Sequence, residues 1–264
     1  MPTSPNTSKW YDRLWASLIY FTRLPFWRLH EPPREAYESV VEQWPLTGWL
    51  TGGVMAAVLW LSAAAAIAQP AGTFRADTLS DAVFMRMQGR SYPAGCTIER
   101  SQLRLLTLSY CDFNGATKTG QLVCNRAIAQ DLIDIFRALY RKHYPIQLIS
   151  LIDDFDADDE RSMHANNTSC FCYRVVSGSK KLSAHARGLA VDLNPLQNPY
   201  VKRRSDGTLI VQPSTARPYI NRARTFKYKI THRDLAYRLF RKHGFTWGGD
   251  WHSLKDYQHF EKYL

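Results

Sequence analysis

The sequence predicts an α+β fold in which a small antiparallel sheet with flanking helices follows an N-terminal hydrophobic helix. Three observations lead to this class: apolar residues recur at helical spacing in two segments, two other segments resemble strands, and one long segment near the N-terminus lacks charge. Helices and strands that are mixed along one chain are typical of α+β domains. The hydrophobic content of 45% in 264 residues is sufficient for a core.

The first helix of the C-terminal part is predicted near Arg126–His143. Its apolar residues follow the spacing of one helical face, and Pro145 lies just beyond its end. These apolar residues are Ile128, Leu132, Ile135, Phe136 and Leu139.

A second helix is predicted to open at Thr231, because Asp234 follows three residues later in the pattern of a capping box. Gly244 fits the position just after the C-terminal end of this helix. The apolar face consists of Leu235, Leu239 and Phe240.

Two segments are predicted to be strands. The run IQLISLI, from Ile146, is typical of a buried strand. In the run GLAVDLN, from Gly188, larger apolar residues alternate with Ala190 and Asp192, which is the period of a strand.

The uncharged segment lies between Glu42 and Arg75, and its most apolar part is residues 46–68. About 20 apolar residues suffice to cross a bilayer, so this part predicts a transmembrane helix. Basic residues before the span would keep the N-terminus cytoplasmic. Alternatively, a signal-like segment starts at Met55 and is cleaved after the A-x-A pattern that ends at Ala68. Both alternatives predict a location in the cell envelope, with the rest of the chain periplasmic or extracellular.

Three segments follow from this organisation. Residues 1–45 form an N-terminal cytoplasmic segment, residues 46–70 form the transmembrane or signal-like segment, and residues 71–264 form a soluble domain.

The chain is basic, with a formal net charge of +11. A balance of this kind indicates a polyanionic neighbour and does not choose among nucleic acid, an anionic membrane and an acidic cell-wall polymer. The five cysteines are an odd number, and Cys170 and Cys172 lack the C-x(2–4)-C spacing of a structural zinc site. No disulfide framework is therefore predicted.

Four residues in two distant segments form a candidate metal site. Catalytic zinc takes three ligands from His, Asp, Glu or Cys and leaves one position for water. His185 precedes a predicted strand that contains Asp192, and His259 can complete the set from the C-terminal segment. Asp256 lies three residues before His259, where it can act as a general base toward water.

The motifs around these residues resemble the zinc D-Ala-D-Ala carboxypeptidase and L-alanyl-D-glutamate endopeptidase family, the VanY-like group that includes phage endolysins. The similarity extends over about residues 95–264 and is greater to the endopeptidase branch. Its motifs are the segment NNTSCFCYR ending at Arg174, the segment from Gly178 to Asp192, and the segment from Trp247 to Glu261.

This resemblance implies that a single Zn²⁺ is held by His185, Asp192 and His259. It also implies that Asp256 takes a proton from the zinc-activated water and passes it to the leaving amine. Arg174 would stabilise the scissile carbonyl as it becomes an oxyanion.

The resemblance gives weaker indications for five further residues. Ser183 would position the substrate or orient His185, while Trp247 and Trp251 would wall the cleft. Asp250 and Glu261 would be hydrogen-bond partners of the metal ligands, or would serve as a helix cap or a surface charge.

The function predicted from these motifs is hydrolysis of peptidoglycan stem peptides, at the L-alanyl-D-glutamate bond. A D-alanyl-D-alanine carboxypeptidase is the alternative within the family, and a non-catalytic wall-binding protein is an alternative of another class. Nucleic acid is not an expected partner, membrane insertion is expected, and the sequence does not fix the oligomeric state.

The N-terminal segment has a resemblance of its own. Residues 9–33, together with WPLTGWLTGG from Trp44, resemble the start of cobalamin synthase, an integral membrane enzyme. The Asp-rich catalytic segment of that family is absent from the sequence. The fragment therefore brings no transferase activity, although such a transferase remains a further alternative function.

Overall fold

Helices and strands alternate along the chain, as an α+β fold requires. The computed structural model describes residues 8–22, 26–38, 40–67, 71–176 and 181–264. The chain divides into two units, Met1–Pro70 and Ala71–Leu264.

The described residues form these regular elements. The α-helices are α1 Trp10–Thr22, α2 Trp44–Ile67, α3 Asp81–Met87, α4 Ala129–Arg141, α5 Asp159–His164 and α6 Leu235–Lys242. The strands are β1 Phe74–Thr78, β2 Leu103–Cys111, β3 Thr117–Asn125, β4 Leu148–Ile149, β5 Asn167–Thr168, β6 Ala190–Asp192, β7 Tyr200–Arg203, β8 Leu209–Gln212, β9 Thr246–Trp247, β10 Lys255–Asp256 and β11 His259–Glu261.

The N-terminal unit has a small apolar cluster formed by Ala16, Ala36 and Val40. Its helix α1 begins next to Asp12, which accepts a hydrogen bond from the backbone N–H of Lys9 at 2.9 Å. The ring of His30 lies 2.7 Å from the same carboxylate, so Asp12 ties the start of α1 to a following turn.

The structure contradicts the membrane anchor that the sequence predicts. No helix among the described residues is long and apolar enough to cross a membrane. The prediction of a transmembrane anchor, and of an envelope location that rested on it, is therefore wrong. Ala68, the predicted cleavage position, lies outside the described residues.

The C-terminal unit has its main core between the β2–β3 hairpin and helix α4. Strands β1, β2 and β3 form one antiparallel sheet, and the apolar face of α4 packs against it through Leu132, Phe136 and Leu139, which are all fully or almost fully buried. The helix predicted near Arg126–His143 is present as a 3₁₀ turn, Arg126–Ile128, followed by α4.

Two further three-stranded antiparallel sheets carry the C-terminal motifs. One has the order β6-β11-β9 and the other the order β10-β7-β8. Within the described ranges, three antiparallel sheets and one parallel pair, β4 and β5, are present instead of the single small sheet that the sequence predicts.

The second predicted helix begins later than expected. Its N-cap is Asp234, whose carboxylate accepts from the backbone N–H of Ala236 at 2.8 Å, and not Thr231. The same carboxylate accepts from the Tyr144 hydroxyl at 3.0 Å, so a tertiary contact fixes the cap. Gly244 follows the end of the helix with φ +84°, as predicted from its C-terminal position.

Candidate metal centre

His185, Asp192 and His259 meet in the interior of the C-terminal unit. The Nε2 atom of His185 lies 3.1 Å from Nδ1 of His259 and 3.2 Å from Oδ2 of Asp192, and Nδ1 of His259 lies 3.0 Å from Oδ1 of Asp192. All three side chains are buried. Donor atoms around tetrahedral zinc, with bonds of about 2.0–2.1 Å, lie roughly 3.3 Å apart. The donor types and their separations therefore fit one zinc ion.

Strand pairing brings two of these residues together. In the antiparallel pair of β6 and β11, Asp192 lies directly opposite His259. Directly opposed residues in such a pair place their side chains on the same face. This register brings together two residues that are 67 positions apart in the chain.

A tight turn supplies the third residue. His185 opens the 3₁₀ turn His185–Arg187, which ends at Gly188 with φ +66°. A Cβ atom at Gly188 would lie 2.7 Å from the backbone nitrogen of Asn125, so this position needs glycine for both conformation and space. The spacing between His185 and Asp192 follows from this turn and the short strand after it.

In each of the two histidines, the ring nitrogen that faces away from Asp192 has a partner of its own. Nδ1 of His185 donates to the backbone carbonyl of Cys170 at 2.6 Å, and Nε2 of His259 lies 3.5 Å from Oε2 of Glu261. These contacts leave Nε2 of His185 and Nδ1 of His259 facing Asp192. Partners of this kind orient metal-binding imidazoles and raise their basicity.

The charges of the three residues are strongly coupled. Burial raises the pKa of Asp192, but the neighbouring His185 and His259 outweigh burial and hold that pKa well below its usual range. Burial lowers the pKa of His259, but its contacts with Asp192 and Glu261 outweigh this and raise the pKa to about 10. Metal ligands bind in their deprotonated forms, so His259 must release a proton when a cation binds.

Asp256 lines the same cleft from strand β10. Burial and the charge of Asp192 raise its pKa to about 6. Its Oδ1 atom is buried and has no hydrogen-bond partner among the described residues. Gly248 makes room for it, because a Cβ there would lie 2.6 Å from the Asp256 carbonyl oxygen. The first glycine of the G-G-D-W motif thus allows the backbone of Asp256 to approach closely.

Arg174 reaches the cleft in an ion pair. Its Nε atom lies 2.5 Å from Oδ2 of Asp159, at the start of α5, and both side chains are about one-third exposed. Asp159 was not predicted from the sequence. The acidic run around it gave no signal for which carboxylate would meet Arg174.

Ser183 supports the turn that carries His185. Its hydroxyl accepts from the backbone N–H of Ala186 at 3.0 Å, and its own N–H donates to the carbonyl of Arg174 at 3.1 Å. This places Ser183 between the turn and the Arg174 segment. Gly178, in the same motif, lies outside the described residues.

The two tryptophans have different surroundings. Trp251 lines the cleft, with its ring centroid 5.2 Å from that of His259. Trp247 is 4% exposed, packs in the main core, and donates from Nε1 to the carbonyl of Tyr257 at 2.9 Å. The structure does not bring Trp247 to the cleft wall.

Asp250 also lies away from the cleft lining. Its carboxylate pairs with Nε2 of the exposed His232 at 2.6 Å. Glu261, by contrast, is 9% exposed and lines the cleft beside His259.

The cleft encloses about 240 Å³. Besides the residues named above, Tyr200, Gln212 and Gln258 line it, and none of these three was predicted from the sequence. The cleft therefore combines a triad that could hold a metal ion, a carboxylate of raised pKa and one arginine in a confined space.

Family models match two separate parts of the chain. Residues 177–262 match the model of D-alanyl-D-alanine carboxypeptidase, and residues 13–79 match the model of cobalamin-5-phosphate synthase. No curated protein and no solved structure gives a significant match. The first match contains the triad and Asp256, is narrower than the predicted residues 95–264, and begins after Arg174. Both resemblances are thus confirmed, and residues 177–262 are similar to the D-alanyl-D-alanine carboxypeptidase family of peptidases.

Proposed function

We propose that this protein is a zinc peptidase that hydrolyses peptidoglycan stem peptides at the L-alanyl-D-glutamate bond. The observation that carries the proposal is the buried set of His185, Asp192 and His259 with Asp256 in one cleft. A zinc ion held by these three ligands supplies Lewis acidity, which lowers the pKa of water and polarises a carbonyl.

Side chains of the cleft carry out proton transfer, stabilise the developing charge and position the reacting groups. Asp256, with a pKa raised to about 6 and an open Oδ1, accepts the proton of the attacking water and returns it to the leaving amine. The guanidinium of Arg174 stabilises the negative charge that develops on the scissile carbonyl oxygen. Asp159 holds Arg174, Ser183 holds the turn that carries His185, and Glu261 holds His259.

A D-alanyl-D-alanine carboxypeptidase is the second candidate, favoured by the description of the matching family. The same residues serve both reactions, since only the position of the bond in the stem differs.

Mass spectrometry of muropeptides distinguishes the two. Digestion of purified peptidoglycan is expected to release stems that begin at D-glutamate. Loss of terminal D-alanine alone would replace the endopeptidase proposal with the carboxypeptidase one. Binding without any cleavage by the zinc-loaded protein would favour a non-catalytic wall-binding role.

A further inference from the structure

A strongly basic stretch of chain begins at the wall of the cleft. From Tyr200 to Arg233 there are nine Lys or Arg residues and one acidic residue, Asp206. This stretch holds most of the chain's net charge of +11. Its first part is the β7–β8 hairpin, and β7 pairs with the β10 strand that carries Asp256.

The register of the hairpin places two of these cations on the cleft side. Tyr200 and Gln212 are directly opposed in β7 and β8, and both line the cleft. Side chains alternate along a strand, so Lys202 and Arg204 share the face of Tyr200, about 7 and 14 Å farther out. Arg203 lies on the opposite face. The backbone N–H of Arg204 donates to the carbonyl of Thr208 at 2.8 Å, which keeps this residue in the hairpin.

Both cations are available to a ligand. Lys202 and Arg204 are exposed, and within the described part of the chain no carboxylate pairs with either of them. The inner end of the cleft is different, because Asp159, Asp192 and Asp256 lie there. The charge along the cleft therefore changes from acidic at the metal-binding triad to basic along the outer part of β7.

Stem peptides carry free carboxylates on residues beyond the bond that is cleaved. A stem seated with its scissile bond beside Asp256 would extend along β7, because Asp256 lies directly opposite Tyr200. Its distal carboxylates would then lie near Lys202 and Arg204.

We propose that Lys202 and Arg204 form a subsite for a carboxylate of the stem peptide and make the enzyme prefer acidic stems over amidated ones. This inference rests on the proposed function for its substrate. The recognition itself is charge pairing at an exposed surface, so it weakens as salt is added.

The test compares two soluble stem peptides, one with free carboxylates and one with its internal and side-chain carboxylates amidated. The ratio of kcat/KM for the acidic peptide over the amidated peptide is expected to fall roughly 3- to 10-fold in the double variant Lys202→Gln, Arg204→Gln. The fall should appear in KM and shrink with added salt. An unchanged ratio would overturn the subsite while leaving the proposed function intact.

A matched double variant, Arg203→Gln with Lys118→Gln, removes the same charge from exposed positions outside the cleft. It is expected to keep the parent ratio. A loss of preference in this control as large as in the test variant would mean that net charge, and not a subsite, sets the preference.

Binding of the same two peptides to Asp256→Asn protein separates the two proposals. If the parent cleaves neither peptide, but acidic-peptide binding still depends on Lys202 and Arg204, the subsite stands and the proposed function falls. If the parent cleaves neither and binding shows no preference, both fall. Equal weakening of oligonucleotide binding would indicate a general polyanion surface and overturn the subsite.

Discussion

Asp256 differs from the other carboxylates of the cleft because its Oδ1 is buried and has no hydrogen-bond partner among the described residues. An acceptor left without a partner beside a candidate metal site is suited to take a proton. Its pKa is raised to about 6, first by burial and then by Asp192. The base form is therefore lost as the pH falls through about 6.

Replacing Asp256 with Asn is expected to lower kcat by about 10²- to 10⁴-fold while zinc content stays at the parent level, since a base is removed and no ligand is. In the parent, kcat/KM should fall on acidification with an apparent pKa of about 6, or lower where a bound cation favours the ionised carboxylate. Steady-state kinetics from pH 4 to 9 and metal analysis measure both effects. A variant that hydrolyses stems at the parent rate would remove Asp256 from the mechanism.

In the proposed mechanism, Asp159 acts on the reaction through Arg174, with which it forms an ion pair. Replacing Asp159 with Asn removes the charge that holds Nε of Arg174, and kcat is expected to fall about 3- to 10-fold, because the guanidinium acts on charge that develops in the transition state. Asp159→Glu should recover part of the loss. The control is Asp154→Asn, since Asp154 pairs with Arg86 outside the cleft lining. A loss confined to KM, or an equal loss in the control, would show that Asp159 does not position Arg174 for catalysis.

Single residues show how far the sequence could predict this site. The triad and Asp256 stand in motifs whose spacing is informative, and the structure brings all four into one cleft. Asp159 stands in an acidic run, and only the fold selects the carboxylate that meets Arg174. Trp247 has the motif position of a cleft residue, but its ring packs between Tyr257 and Phe260. The partners that decide such cases come from other segments.

At the scale of elements, short turns carry much of the site. Gly248 lies so close to Asp256 that an added Cβ would meet backbone and not a flexible side chain. Gly248→Ala is expected to cost about 1–3 kcal/mol of stability. By displacing Asp256 it should also lower kcat/KM by roughly 100-fold. Thermal unfolding and kinetics on the folded fraction measure the two effects.

Gly115→Ala is the matched control. Gly115 has a positive φ, +81°, which strains any substitution there, but it has open space around its Cβ position and lies outside the cleft. This variant should lose stability, about 1 kcal/mol, and keep its activity. If Gly248→Ala behaved in the same way, the close approach to Asp256 would have no catalytic role.

The elements themselves were predictable where the pattern was long. Helix α4 is thirteen residues long with apolar residues at consistent helical spacing, and the sequence predicts it nearly to its ends. Helix α6 is short, and its start is set by Asp234, which bonds Tyr144 as well as Ala236. A capping pattern in the sequence covers neighbouring residues only, so it does not include Tyr144, which comes from another segment. The strands around the metal centre have only two or three residues each, which is too short for the alternation of apolar and polar residues to be recognised.

At the scale of the whole molecule, every residue of the proposed site lies in the unit Ala71–Leu264. That unit has its own core, formed around α4, β2 and β3. A chain that starts at Ala71 is therefore expected to fold, bind zinc and keep the parent kcat/KM on soluble stem peptides. Circular dichroism, metal analysis and kinetics test this. A folded, zinc-loaded fragment without activity would assign residues 1–70 a part in catalysis.

The central claim is that His185, Asp192 and His259 hold one zinc ion that hydrolysis requires. The most direct measurement is zinc content together with stem-peptide hydrolysis, for the parent before and after chelation and for His185→Ala. We predict one zinc per parent chain, loss of hydrolysis on chelation, recovery with added zinc, and neither zinc nor activity in His185→Ala. Hydrolysis at the parent rate by the chelated, metal-free protein would contradict the claim.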